Sequence, residues 1–170
     1  GSVWSYSSGT TNIICSLLRQ YIGDGDVAEL LKQRIFDTLG MTTATARVDN
    51  AGNFIGSSYV YATARDFAKF GYLYLRGGQW QDAQIVPREW VEAARVQHAT
   101  DHESGHGYGL QWWIWKSIAG CMSAQGYEGQ RIIVMPDRDL VVVHLGKWVA
   151  DTAPALDNHL FDLIEAFPVA

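Results

Sequence analysis

The sequence is poor in the features that mark several large classes of protein. Its two cysteines, Cys15 and Cys121, are too few for a disulfide scaffold, and each lies in an apolar stretch typical of a packing thiol. The net charge is −5 without any cluster of lysine and arginine, which argues against a nucleic-acid partner. No apolar run approaches the ~20 residues that a membrane-spanning helix needs. The 170 residues, 48% of them apolar, therefore predict a globular chain of ordinary domain size.

The strongest positive feature is a pair of apolar segments within residues 125–146. The runs RIIVM and LVVVHLG are joined by the turn sequence PDRD, which predicts a β-hairpin. Because both runs are apolar throughout rather than alternating, we expect two central strands that are covered on both faces. The preceding sequence GYEGQ contains glycines that allow a close approach to the backbone where the first strand begins.

Helical periodicity dominates the chain before this hairpin. It predicts helices over residues 12–22, capped by Thr10 or Thr11, and over 26–39, opened by a capping box and ended by Gly40. Further elements are expected as helices over 63–76, 87–96 and 154–167, a hairpin over 79–86 and strands over 108–115 and 121–125. An irregular segment with a turn over residues 49–52 is expected over 42–62, and a loop over 98–107. The expected fold class is α+β, with a helical portion over residues 1–107 and antiparallel strands with a closing helix over 108–170.

One local pattern points to metal chemistry. Residues 102–106 read HESGH, which matches the H-E-x-x-H pattern of zinc proteases. The pattern acts on a helix, where His102 and His106 would share a face and Glu103 would reach the metal-bound water. The Ser-Gly pair inside it and the glycines after it disfavour a helix. We therefore expect a polar loop without a metal, and a zinc hydrolase is the remote alternative.

Familiar nucleophile motifs are absent. No serine has a glycine both two positions before it and two positions after it, so the G-x-S-x-G elbow is missing. A Ser-His-Asp triad stays open, because its members need not be close in sequence. His144, alone on an apolar strand, is expected to be a hydrogen-bonded core residue rather than a catalyst.

Six stretches of the chain follow one another in the order seen in a known family. They are VWSYSSGTTNIICSLL, LGMTTAT, TARDFAKFGYLYLRGG, IVPREWV, YGLQWW and GYEGQRIIVMPDRDLVVV. Together they resemble serine hydrolases related to class C β-lactamases, a group of penicillin-recognising fold that includes esterases, D-amino-acid peptidases and amide hydrolases. The resemblance extends from Val3 to Phe167. It implies a β-lactamase/transpeptidase-like fold, no cofactor, and hydrolysis of a small-molecule ester or amide through an acyl-serine intermediate.

The resemblance assigns roles to two residues near the start of the chain. Tyr6 matches the tyrosine of the family's Tyr-x-Asn motif, which works with a lysine in proton transfer to and from the nucleophile and the leaving group. Ser8 stands at the third position of that motif. A hydroxyl thus replaces the amide that would bind the substrate carbonyl.

The resemblance also assigns roles to the sequence before the apolar hairpin. Tyr127, Glu128 and Gly129 match the family's Lys/His-Thr-Gly motif, and Gln130 would supply a backbone N–H to the oxyanion hole. The family's cation is here a tyrosine, followed by a carboxylate. A site for the carboxylate of a β-lactam or a D-Ala terminus favours positive charge. Neutral or cationic esters and amides are therefore the expected substrates.

The family's nucleophile motif, Ser-x-x-Lys, is the main departure. None of the four lysines, Lys32, Lys69, Lys116 and Lys147, has a serine three residues before it. Because the chain starts just ahead of the tyrosine motif, we expect the nucleophile-bearing N-terminal half to be absent and the isolated chain to be inactive. An N-terminal half chain or self-association, such as a swapped dimer, would then complete the core. A non-catalytic binding or assembly module is the alternative. The resemblance makes an extracytoplasmic or periplasmic location plausible.

Overall fold

The computed structural model describes residues 3–23, 25–148 and 153–170. Its helices are α1 (Ser8–Tyr21), α2 (Val27–Leu31), α3 (Ala64–Leu75), α4 (Arg88–Arg95) and α5 (Ala153–Glu165). Its strands are β1 (Thr45–Ala46), β2 (Val60–Tyr61), β3 (Gln79–Trp80), β4 (Ala83–Gln84), β5 (Ala99–Thr100), β6 (Gly107–Tyr108), β7 (Trp113–Ile114), β8 (Met122–Gln125), β9 (Arg131–Met135) and β10 (Leu140–His144). Helices before an antiparallel sheet, and a last helix after it, agree with the predicted α+β class.

Helix α1 begins earlier than the periodicity predicts. Ser7 has the extended conformation of an N-cap residue, with φ −147° and ψ 120°, so that Ser8 is the first helical residue. Thr10 and Thr11 lie inside the first turn and do not cap the helix. The predicted end is confirmed, because Gly23 takes the left-handed conformation (φ 73°) that commonly follows a helix.

Helix α2 begins as predicted at the Asp26 cap. The carboxylate of Asp26 accepts hydrogen bonds from the backbone N–H groups of Ala28 and Glu29, at 2.8 and 3.1 Å. These bonds satisfy two amides that have no partner within the helix. The helix then widens into a π-helical segment, Lys32–Phe36, before the chain turns at Gly40.

The irregular segment predicted over residues 42–62 folds back on itself. Strands β1 and β2 pair antiparallel, and residues 49–52 form the predicted turn. The carboxylate of Asp49 accepts from the backbone N–H groups of Ala51 and Asn53, and the bonds with Asn53 hold its pKa below the usual range. Asp66, buried in the first turn of α3, accepts hydrogen bonds from Thr43.

In the described part of the chain, six strands form one antiparallel sheet in the order β10-β9-β8-β7-β6-β5. The predicted hairpin is confirmed. Residues Leu140 to His144 of β10 pair with Met135 to Arg131 of β9. A 3₁₀ turn, Pro136–Arg138, and a left-handed Asp139 (φ 49°) connect these two strands.

The central strand β9 is covered on both faces. Val134 packs in a buried cluster with residues of α3 and α4, including Tyr74 and Val91. On the other face, Ile133 packs in a cluster with Leu160 and Ile164 of α5. Alternate residues of one strand thus meet different helices, which explains why the run RIIVM shows no apolar–polar alternation.

Helix α3 approaches the hairpin closely at Gly71. A Cβ atom at this position would lie 2.7 Å from Cγ1 of Val141 and 2.9 Å from Cγ2 of Ile132. Any larger residue would push the helix away from β9 and β10. Glycine is therefore required here by packing rather than by backbone conformation.

Three strand predictions need correction. Strand β10 lies at the edge of the described sheet and is half-buried, whereas its apolar sequence predicts a central strand. The aromatic run 108–115 is divided between β6 and β7, because Gln111 adopts a left-handed conformation (φ 64°) and turns the chain. The loop predicted over 98–107 contains β5, which pairs with β6.

By packing, the chain divides into two compact units, Gly1–Asp66 and Phe67–Ala170. The second unit therefore contains most of α3 and all of α4 together with the sheet, since both helices supply residues to a cluster on one face of β9. This division falls before the predicted one between residues 107 and 108, which was drawn where helices give way to strands. Among the described residues, no helix is long and apolar enough to cross a membrane.

Candidate active site

The residues that match the tyrosine motif lie at the N-terminal end of α1. Tyr6 lies before the helix in a segment without regular secondary structure, with its ring centroid 6.5 Å from that of Trp4. Ser7 is the N-cap residue and Ser8 the first helical residue, and both side chains are exposed. The change from extended to helical backbone thus falls inside the motif, and its first and third residues lie on opposite sides of the N-cap.

The residues that match the Lys/His-Thr-Gly motif form a single 3₁₀ turn immediately before β9. Tyr127 is 83% exposed, whereas Gly129 is buried. Glu128 (φ 56°) and Gly129 (φ 86°) are both left-handed, which is costly for a residue with a side chain. We refer to residues 126–130 as the GYEGQ loop.

The segment that follows β10, residues 146–148, holds the GYEGQ loop in place. Nζ of Lys147 lies 2.9 Å from Oε1 of Glu128, and the backbone N–H of Trp148 donates to the Glu128 carbonyl at 3.1 Å. The Trp148 indole covers Gly129 so closely that a Cβ atom there would lie 1.4 Å from its Cδ1. These contacts stabilise Glu128 in its left-handed conformation and leave no room for a side chain at Gly129.

His144, the last residue of β10, also contacts the loop. Its Nδ1 lies 3.1 Å from the carbonyl oxygen of Gly129, and the ring is half-buried. The hydrogen bond expected for this histidine is present, but the residue is half-buried on an edge strand of the described sheet and is not the core residue that was predicted. Its partner belongs to the GYEGQ loop and not to the interior of the sheet.

Gln130 presents a backbone N–H that is only weakly engaged within the loop. This N–H lies 3.5 Å from the Tyr127 carbonyl oxygen, beyond the usual 2.7–3.2 Å range for N–H···O hydrogen bonds. The Gln130 carbonyl accepts from the Gly126 N–H at 2.8 Å, which closes the loop at its base. With φ −67° and ψ 139°, Gln130 has an extended backbone that leads directly into β9.

The charges beside the loop are balanced. The hydrogen bond with Glu128 raises the pKa of Lys147, which favours the ammonium form of this side chain beside Glu128. At the start of β9, burial lowers the pKa of Arg131, whose guanidinium lies 3.8 Å from the Asp157 carboxylate. The sequence suggested a negative loop, but the negative charge of Glu128 has a cation beside it.

The histidines of the zinc-protease pattern lie in a turn rather than on a helix. The Gly105 N–H donates to the Asp101 carbonyl at 2.9 Å, and Gly105 is left-handed (φ 72°). The His106 ring stacks on Trp115, with ring centroids 5.4 Å apart. Across the described residues, no group of three or more His, Cys, Asp or Glu side chains is placed to hold a metal ion. The helical geometry that the zinc pattern requires is not present here.

The structure brings the GYEGQ loop together with residues that sequence reasoning did not assign to a site. These are His144, Lys147 and Trp148, which lie beyond the motif in sequence. The hairpin register pairs His144 with Arg131, so residues after His144 must run beside residues before Arg131. Extending the predicted hairpin by a few residues would have revealed this contact. Tyr6 and Ser8 belong to the first compact unit and the GYEGQ loop to the second.

Comparison with known proteins identifies relatives of this chain. The family model described as Beta-lactamase matches residues 1–165. The 6-aminohexanoate-dimer hydrolase of Paenarthrobacter ureafaciens is 28% identical over 155 residues, which cover 85% of this chain and 39% of that protein. A Bacillus anthracis structure named for a 6-aminohexanoate-dimer hydrolase has a TM-score of 0.83 and 28% identity, and the match covers 99% of this chain and 46% of that one.

A β-lactamase structure from Mycobacterium bovis, 19% identical with a TM-score of 0.68, covers 93% of this chain and 63% of that one, and shows the shared fold. The chain spans less than half the length of the two relatives named for dimer hydrolysis. The predicted β-lactamase-like fold is confirmed by these structures. Because the family model matches nearly every residue in order, the chain belongs to the β-lactamase family.

Proposed function

We propose that this chain supplies proton-transfer and oxyanion groups to a serine hydrolase whose Ser-x-x-Lys nucleophile lies in another portion of the family fold. The observation that supports this best is the backbone N–H of Gln130. It is weakly engaged at 3.5 Å from its internal acceptor, immediately before β9, where the family places an oxyanion donor. A preorganised N–H aimed at the developing negative charge is a large contribution to acyl transfer.

The proposed role of Tyr6 is to move a proton between the nucleophile and the leaving group. General acid–base catalysis of this kind contributes about 10²–10⁴-fold to the rate. Ser8, exposed at the first turn of α1, would contact the substrate carbonyl through its hydroxyl. A hydroxyl can donate one hydrogen bond and can also accept, so it can take over the donor function of the family's asparagine.

The proposed substrate is an ester or amide without a strong negative charge. Tyr127 presents an exposed ring where the family has a cation, and the Lys147–Glu128 pair leaves the loop with no net charge. A 6-aminohexanoate dimer is the first compound to test, since two relatives are named for hydrolysing it.

The test is complementation. The chain is mixed with a polypeptide that carries the Ser-x-x-Lys portion of a relative, and hydrolysis of an activated ester and of a 6-aminohexanoate dimer is measured. The mixture should be active, whereas the chain alone should be no more active than its Ser7→Ala, Ser8→Ala double variant. Tyr6→Phe should remove most of the activity that appears, at least about a hundredfold.

The Gln130 role can be tested through its backbone. Because φ is −67°, the backbone at this position accommodates a proline, which removes the N–H together with the glutamine side chain. Gln130→Pro should lower kcat by about 10²–10³-fold. Gln130→Ala removes the side chain but keeps the N–H, and should be close to wild type. A stoichiometric acyl-enzyme burst from the chain alone, or equal activity of the proline and alanine variants, would overturn this proposal.

We propose that the Ser-x-x-Lys portion of the fold binds the apolar face of α1. This face is formed by Ile13, Ile14, Leu17, Leu18 and Tyr21. All five side chains are exposed, and Leu17 is 57% accessible. Contiguous apolar patches of this kind seldom persist on soluble monomers. The relatives have more than half of their length outside this match, which is enough chain to cover the helix.

Association should therefore depend on this face. Ile14→Asp and Leu17→Asp should weaken the complex with the Ser-x-x-Lys portion in analytical sedimentation, and should weaken self-association of the chain alone. Glu29→Gln, on the next helix, is the control and should leave both unchanged. Complex formation without hydrolysis would instead support a non-catalytic assembly module, and a well-behaved monomer at tens of micromolar with unaltered complementation would contradict the role of α1.

A further inference from the structure

We infer that His144 is a positioning residue that fixes the peptide group between Gly129 and Gln130, so that the Gln130 N–H is held in one direction. This inference rests on the proposed oxyanion role of that N–H. It concerns a side chain on another strand, 15 residues further along the chain, that bonds to the same peptide group.

The argument starts from peptide geometry. The Gly129 carbonyl and the Gln130 N–H belong to one planar, trans unit, in which the two groups point in opposite directions. A hydrogen bond from Nδ1 of His144 to the Gly129 oxygen, at 3.1 Å, therefore also fixes the direction of the Gln130 N–H. Any contact that fixes the Gly129 carbonyl therefore also fixes the direction in which the Gln130 N–H points.

This peptide needs an external constraint because its first residue is glycine. Glycine populates positive and negative φ almost equally, so the peptide could rotate at little cost. The 3.5 Å contact between the Gln130 N–H and the Tyr127 carbonyl is too long to prevent this. His144 holds the carbonyl, while the Trp148 indole occupies the space where a side chain at Gly129 would lie.

The His144 ring lies close against the backbone of Gly146. A Cβ atom at Gly146 would lie 2.6 Å from Nε2, so this residue must be glycine for the ring to adopt its position. The backbone of His144 pairs with Arg131, the first residue of β9. Since Nδ1 faces a carbonyl oxygen, it carries the proton and donates. His144 therefore acts on the GYEGQ loop as a hydrogen-bond donor and not only through packing.

The test compares two substitutions at His144 in the complemented enzyme. His144→Phe keeps a ring of similar size without the donor, whereas His144→Asn places an amide N–H near the position of Nδ1. We expect the phenylalanine variant to lower kcat by about tenfold to a hundredfold with little change in KM, because the oxyanion donor is misdirected. The asparagine variant should recover most of the loss. His159→Asn, at an exposed position of α5, is the control.

A second readout does not depend on activity. In ¹H–¹⁵N spectra of this chain, His144→Phe should shift the Gln130 amide resonance and accelerate its hydrogen exchange, and His144→Asn should restore both. An unchanged Gln130 amide in the phenylalanine variant would overturn the inference, and so would equal kcat losses in both variants. If Gln130→Pro proves fully active, the oxyanion role fails, and the amide resonance still decides whether His144 positions this peptide.

Discussion

Helices α1 and α5 have similar lengths, 14 and 13 residues, and both carry apolar residues at helical spacing, but they differ in how far those residues are buried. Leu160 and Ile164 of α5 are buried against the sheet. In α1, every residue of which is described, Cys15 is the only buried one. An amphipathic pattern thus predicts that a helix has an apolar face, but it does not predict whether another part of the same chain covers that face.

The two compact units differ in the same way. In Phe67–Ala170, the central strand β9 is packed on both faces by helices of the same unit. In Gly1–Asp66, the buried apolar side chains of the described residues are Cys15 of α1 and four in and after α2, namely Val27, Phe36, Leu39 and Met41. Local stability follows buried apolar contact, so the second unit should be the more resistant to unfolding.

The largest difference in stability should come from replacing isoleucine in each of the two units. Ile133 is fully buried in β9, whereas Ile14 of α1 is 55% exposed. Ile133→Ala should destabilise the chain by about 2–5 kcal/mol, because it removes buried methyl groups and leaves a cavity. Ile14→Ala should change stability by no more than about 0.5 kcal/mol. Denaturant unfolding measures both, and equal costs would break the distinction between the helices.

A smaller difference should appear between the two cysteines, one in each unit. Burial raises the pKa of Cys121 to about 12, and burial also raises the pKa of Cys15. Because only the thiolate reacts, Cys121 should be alkylated at pH 8 more slowly than Cys15, by on the order of tenfold or more. Mass spectrometry of the alkylated native chain assigns each site, and Cys15→Ser is the control. Faster labelling of Cys121 would reverse the expected order of local stability.

The smallest effect concerns the two helix caps in the first unit. Asp26 bonds two backbone N–H groups of α2, whereas Ser7 makes no side-chain cap bond to α1 in the described structure. Asp26→Ala should cost about 1 kcal/mol and speed hydrogen exchange of the α2 amides about fivefold. Ser7→Ala should leave the exchange of the α1 amides nearly unchanged. A large effect of the serine substitution would show that this cap forms in solution.

Predictions based on local pattern were mostly correct. The Asp26 cap, the turn over residues 49–52, the end of α1 and the β9–β10 hairpin each depend on residues close in sequence. The predictions that failed include the cap of α1, which is Ser7 rather than Thr10 or Thr11, and two strand assignments. An apolar strand can be central or half-buried at an edge, and β10 is at the edge of the described sheet. The aromatic run 108–115 has high strand propensity throughout, but the turn at Gln111 divides it into two strands.

The candidate site, too, could be predicted only in part from the sequence. The order of motifs along the chain predicted the family, and family matching confirms it. The assignments of Tyr6, Ser8, Tyr127, Glu128, Gly129 and Gln130 to the site stay predictions, as does the division of the chain between residues 107 and 108. His144, Lys147 and Trp148 were not assigned, because their contacts with the GYEGQ loop arise from strand pairing.

The sequence by itself determined the Asp26 cap, the turn over residues 49–52, which strand pair is apolar, and that no Ser-x-x-Lys motif is present, because these are properties of residues within a few positions of one another. Tertiary structure decided which faces are covered and which groups meet. The Lys147 ammonium beside Glu128, the His144 ring on the Gly129 carbonyl and the indole over Gly129 exist only once β9 and β10 pair. Hydrogen bonds and close packing act over a few ångströms in space, and the distance between residues along the chain does not encode that proximity.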